Sequence, residues 1–207
     1  MKIYFWLPIA ILLGFGATAQ AQPPFVPGPM HSPYSAPSRV NPSEQAVATL
    51  REGMHKLLDF LGEKEKPNKL QLAAFLDSSI APYFDFDYMA KWVAGLRYAA
   101  MTPKQRTALA ASLEARFLGS LATNLAKYKG QQIRYFRPRR GASGAVSVTV
   151  GLRSPGSYPA RLQFRMYRSG DGWKIYDVIS NGRSAVAFYR QELRRSSMQG
   201  SPGAYGR

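Results

Sequence analysis

The chain of 207 residues has no cysteine. Disulfides and thiolate metal sites are therefore excluded. Histidine is almost absent too: His31 sits in a proline-rich stretch and His55 in a helix-forming one. No cluster of imidazoles exists for a metal, and a lone helix histidine is usually a surface or core residue. G-x-S-x-G, P-loop and G-x-G-x-x-G patterns are all missing. No apolar run reaches the roughly 20 residues that a membrane-spanning helix needs. The longest, 14 residues over positions 3–16, follows Lys2 and precedes Ala17, Ala19 and Ala21. That layout predicts a secretory signal peptide over 1–21, cleaved before Gln20 or Gln22. An uncleaved anchor is the alternative.

Acidic residues are scarce in one half only. Positions 22–87 hold eight acidic and six basic residues; positions 88–207 hold four acidic residues against 21 basic ones. A half-chain with a surplus of 17 positive charges attracts polyanions such as anionic lipid, a membrane surface or nucleic acid. For an exported protein, lipid is the commoner encounter. A merely solubilising basic surface would look the same in sequence.

Seven prolines fall within 22–42, which predicts an extended tether there. The ~185 residues left after the signal peptide suffice for one domain with a real core. That domain is expected over 43–195, with Ser43 as first N-cap and a small, polar, glycine-rich tail over 196–207. Val47, Leu50, Met54, Leu57 and Leu61 recur at helical spacing. Asn68 can cap a second helix with Leu72, Phe75, Leu76 and Ile80, ended by Pro82. The segment DFDYMAKWVAG (85–95) predicts a third, capped by Asp85 or Asp87, with Met89, Trp92 and Val93 as its apolar face and Gly95 as its stop. Thr102, Pro103 and Gln105 form a capping box ahead of a fourth. Its ladder of Leu109, Leu113, Phe117, Leu121 and Leu125 predicts a central buried helix running to Gly130.

Periodicity then drops to two. Four antiparallel strands are predicted over 131–138, 145–153, 160–168 and 172–180, with one apolar and one cationic face. Helices first and strands after is an α+β pattern: helices packed on one face of a curved, mainly antiparallel four-stranded sheet, with a C-terminal helix. The cassette GWKIYDVISNGRSAVAFYRQEL (172–193) carries the last strand into that helix. It suits a pocket wall with a cationic rim and offers little chemistry. Asp177 could be a base, but with no partner it reads as half of an ion pair. Arg134, Arg137, Arg139 and Arg140, interleaved with Tyr135 and Phe136, could stack bases, or could equally be the outward face of a strand.

The segments PYFDFDYMA (82–90), Gly95, QR (105–106), Leu125, YKG (128–130), GWKIYDV (172–178), GRS (182–184) and YR (189–190) together resemble the MlaC family of periplasmic phospholipid carriers, also called toluene-tolerance proteins. The resemblance spans 43–195. Departures are Tyr98 where the family commonly has tryptophan, Leu121 where an aromatic is usual nearby, the polar tail and the proline-rich tether. The resemblance implies a monomeric periplasmic lipid shuttle with no catalytic residue, cofactor or metal. Its partners would be phospholipid, an MCE-domain ABC transporter complex at the inner membrane and a lipoprotein–porin complex at the outer membrane, with no role for nucleic acid. A hopanoid or other cyclic lipid is the alternative cargo. A small-molecule enzyme on a cone-shaped α+β scaffold is the alternative function, with Asp177 or Tyr176 as the group to start an acid–base pair. On the carrier reading, Trp92, Phe117, Leu121, Val148, Val150, Phe164, Met166, Ile175 and Val178 are the expected apolar lining, though each would serve equally as core. Arg97, Tyr98 and Arg183 are the expected headgroup rim.

Overall fold

Asn41, not Ser43, starts the first helix of the computed structural model, which describes residues 41–62, 67–126, 128, 130–153 and 160–199. The expected signal peptide, most of the proline-rich stretch, positions 154–159 and the end of the tail lie outside these residues. Helix α1 (Pro42–Leu61) has proline at its first position, and the Asn41 side chain accepts from the Ser43 amide at 3.1 Å. Ser43 has another task. It is buried, and its hydroxyl accepts from Arg140 Nε at 3.3 Å.

Helix α2 (Lys69–Phe75) opens with a reciprocal capping box between Asn68 and Gln71. It does not continue regularly to Pro82. Leu76–Ile80 winds as a π turn and Ala81–Tyr83 as a 3-10 turn, which together bury Leu76, Ile80 and Ala81. Helix α3 (Phe86–Ala94) is capped by Asp85, whose Oδ1 accepts from the Tyr88 amide at 2.7 Å. Gly95 ends it at φ +60°, a conformation that suits glycine. The buried face is Phe86, Met89, Ala90, Val93 and Ala94. Trp92, expected on that face, is 45% exposed. The stripe is centred on Met89 and Val93, so Trp92 falls on its flank beside Tyr88.

Helix α4 (Pro103–Leu125) has the expected Thr102–Gln105 box but stops five residues before Gly130. It is not a central buried helix. Of its apolar ladder only Leu113 is fully buried, with Ala110 and Leu118 beside it. The ladder is one stripe on a helix whose other sides face solvent, so α4 is a cover.

The sheet contains the four expected strands, here β1 (Gln132–Tyr135), β3 (Val146–Arg153), β4 (Ala160–Ser169) and β5 (Gly172–Ser180). Two short strands, β2 (Arg139–Arg140) and β6 (Arg183–Ser184), join them. All pair antiparallel in the order β1-β3-β4-β5-β6, with β2 also on β3. Phe84 adds a parallel bridge to Ile175. The β4–β5 register shifts: Arg165 faces Asp177 and Met166 faces Ile175, leaving Tyr176 as an extra residue in a bulge.

Helix α5 (Ala185–Gln199) runs past the expected boundary at 195. Its start is fixed by Asp177, which has no exposed surface. Oδ1 accepts from the Val186 amide at 3.1 Å; Oδ2 accepts from Ser184 Oγ at 2.8 Å and from Arg165 Nη1 at 3.3 Å. A carboxylate at a helix N-terminus is favoured by the exposed amides and the helix dipole.

Two apolar cores result. One is helical: Leu72, Leu76, Met89, Val93 and Leu113 pack with Val186 and Tyr189 of α5. The other lies on the sheet: Ala46 and Leu50 of α1 pack on Val146, Val148, Val150, Phe164, Met166, Trp173 and Ile175. Phe84 packs against both. Because Asp177 joins the two layers, Asp177→Ala is expected to lower unfolding stability by about 2–4 kcal/mol, through a lost cap and unpaired neighbours. Asp177→Asn, which keeps one acceptor, should cost clearly less. Urea denaturation of the three proteins checks this; equal midpoints for Asp177→Ala and wild type would contradict it.

Candidate functional site

Between the two cores is a cavity of about 580 Å³. Three walls form it. From α1 come Leu50, Met54, Leu57, Leu58 and Leu61; from α4 come Phe117, Leu121 and Leu125; from the sheet come Ile133, Leu152, Leu162, Phe164, Ile175 and Val178. Ile80, Tyr83 and Phe84 also line it. Phe84 lies 4.9 Å from Phe117 and 5.6 Å from Phe86, ring centre to ring centre, and so joins the α4 wall to the helical core.

The lining grades from apolar to polar as exposure rises. The buried members are Leu50, Leu57, Ile80, Phe164 and Ile175. The polar members Ser120, Asn124 and Ser180 are exposed, and Tyr128 and Gln131 are half-buried. No charged side chain is among the described lining residues. This gradient suits an amphiphile whose apolar part goes in and whose polar part stays near water.

Tyr83 shapes one wall through glycine. A Cβ on Gly53 would lie 3.2 Å from the Tyr83 ring, so Gly53 lets the ring press against α1. The Tyr83 hydroxyl donates to Glu52 at 2.8 Å, and Lys56 Nζ sits 5.2 Å from the ring centre. Burial pushes the Tyr83 phenol up from its ordinary value, so it stays a neutral donor.

Five expected lining residues meet at this cavity: Phe117, Leu121, Phe164, Ile175 and Val178. Val148, Val150 and Met166 do not line it. They have no exposed surface and pack beneath Ala46 and Leu50 in the sheet core. On β3 only Leu152, at the strand end, reaches the cavity. Trp92 lies outside, stacked 5.7 Å from Tyr176 in a group with Tyr88 and Tyr167. Tyr167 donates from its hydroxyl to Asp85, and burial followed by that bond holds its phenol far above the usual range. Arg97 is exposed on the Gly95–Ala100 turn and Tyr98 packs on the helical core under Arg106, so neither borders the cavity. Arg183 is exposed and pairs in register with Ser180, a lining residue, but does not itself line the cavity. Asp177 and Tyr176, the two groups an enzyme reading needs, do not line the cavity.

The α1 wall was missed, although it had a signal. Leu57, Leu58 and Leu61 form an apolar stripe wider than a single core contact needs.

A family model described as MlaC protein matches residues 52–204. Among solved structures, the phospholipid-binding protein from Ralstonia solanacearum, in complex with a phospholipid, is similar in fold, with a TM-score of 0.63 and 21% identity. That match covers 78% of this chain and 90% of the other. No curated protein matches the sequence significantly.

Core and lining residues should respond differently to truncation. Met166→Ala, in close packing, is expected to cost about 2–5 kcal/mol. Leu121→Ala, beside existing empty space, should cost only about 1 kcal/mol. Thermal and urea unfolding of both variants checks the assignment, and equal losses would contradict it.

Proposed function

The chain belongs to the MlaC family, and we propose that it is a periplasmic carrier that holds phospholipid acyl chains in the cavity. The observation that carries this is the graded lining: apolar where buried, polar where exposed, and uncharged throughout its described part. The MlaC match and the fold shared with a phospholipid-bound protein from Ralstonia solanacearum support it. Binding requires no catalytic group, and neither candidate acid–base residue faces the cavity.

Each methylene moved from water into the cavity gains about 0.8 kcal/mol, and a bilayer offers nearly the same. A carrier therefore matches the membrane in affinity and exchanges lipid by docking. We assign the rim contact to Arg183, a choice supported by its pairing with the lining residue Ser180; its guanidinium could fork onto a lipid phosphate. In this reading the signal peptide exports the chain, which works as a monomer. It trades lipid with an MCE-domain ABC transporter at the inner membrane and a lipoprotein–porin complex at the outer membrane.

Protein purified from a bacterial host is expected to carry co-purified phospholipid, seen by native mass spectrometry and lipid extraction. A polycyclic lipid in the extract would redirect the cargo to hopanoids. Leu121→Trp, which fills the α4 wall, should reduce bound lipid several-fold while the protein stays folded. Uniformly empty wild-type protein from several hosts would overturn the proposal.

A further inference from the structure

Residues 115–170 contain 11 arginines and lysines and not one carboxylate. The structure arranges several of these cations on the face of the sheet that turns away from the cavity. Along β3, Val146, Val148 and Val150 point inward, so Gly151 and Arg153 point outward. Register then fixes two rows. Arg134 pairs with Gly151, which pairs with Arg161; Gln132 pairs with Arg153. Gly151 leaves room for Phe136, whose ring would meet a Cβ there at 3.0 Å. The guanidinium carbons of Arg134 and Arg161 each lie 5.5 Å from the centre of that ring. Arg134, Arg153 and Arg161 are all exposed, and none takes part in an ion pair among the described residues.

These cations are interleaved with the cavity wall. Ile133, Leu152 and Leu162 line the cavity, and each is the chain neighbour of one of the three arginines. The same strand ends thus present apolar side chains inward and guanidinium groups outward. Resting on the carrier reading above, we propose that this corner of the sheet, built from Arg134, Phe136, Arg153 and Arg161, docks on the surface of an anionic lipid bilayer. Guanidinium groups pair with lipid phosphates in forked geometry. The Phe136 ring, held between two of them, supplies an apolar surface at the headgroup boundary. A bilayer pressed on this corner lies behind the part of the cavity wall formed by Ile133, Leu152 and Leu162.

Co-sedimentation tests the proposal, using the mature protein with vesicles of phosphatidylcholine alone or mixed with phosphatidylglycerol. The wild type should bind only the phosphatidylglycerol vesicles, and the binding should fall with added salt. R134Q/R153Q/R161Q should bind them roughly 100-fold more weakly, since each arginine near an anionic surface contributes about fivefold. K69Q/K104Q/R195Q removes the same charge from other exposed positions and should bind within a few-fold of wild type. Equal weakening in both triple variants would overturn the proposal, because net charge alone would explain it. So would wild-type binding to neither vesicle, which would leave the face to an acidic protein partner, or binding that ignores salt. Lipid extracted from all three proteins separates the two readings. Empty wild-type protein sinks the carrier, whereas lipid-filled protein that ignores phosphatidylglycerol vesicles sinks only the docking surface.

Discussion

Asp177 holds together the two halves of the molecule. Its carboxylate is fully buried, yet every bond it makes is to a group that welcomes negative charge: an amide at the start of a helix, a hydroxyl and a guanidinium. Arg165 keeps nearly half its side-chain surface in water, which lowers the desolvation cost of pairing below that of a wholly buried ion pair. The carboxylate therefore pins the start of α5 to the sheet. From that point α5 carries Val186 and Tyr189 into the helical core, and the positions of α3 and α4 follow from packing against it.

The cavity is what remains when two cores are each completed separately. The helical layer is tied to itself by polar bonds that do not reach the sheet. Arg116 pairs with Glu192 across α4 and α5, Arg190 donates to the Trp92 carbonyl, and Arg106 donates to the carbonyls of Tyr98 and Ala99. The sheet layer is closed by α1 over the valines of β3. Collapse of one layer onto the other would have to unseat α1. Empty apolar space is costly in a protein, so a chain that keeps it open must gain elsewhere. Filling by an apolar ligand is the direct way to recover that energy.

Much of this was readable in the chain because local chemistry determined it. Two capping boxes, Gly95 at a helix end and the alternation of β3 and β4 each depend on residues a few positions apart. The cationic half-chain was plain from counting. What the sequence hid depended on neighbours distant in the chain. Val148 and Leu152 have the same character and the same parity on one strand. Only the reach of α1 decides that the first is core and the second lines the cavity. Trp92 carries the right residue type for a pocket wall, yet it stacks on Tyr176 away from the cavity. The ladder of α4 looked like a central ridge because periodicity reports one apolar stripe and says nothing of whether its opposite side is covered.

The bulge at Tyr176 has a further meaning for how this chain can change. Ile175 faces the cavity, and simple alternation would have sent Asp177 in after it. The extra residue lets Tyr176 and Asp177 both serve the far side, one for the aromatic stack and one for α5, before Val178 returns to the apolar wall. Strand β5 thus stores information in its length as well as in its composition. Side chains along it can be exchanged one at a time. Regular alternation over the same residues, without the bulge, would instead turn Asp177 into the place meant for hydrocarbon and Val178 out of it.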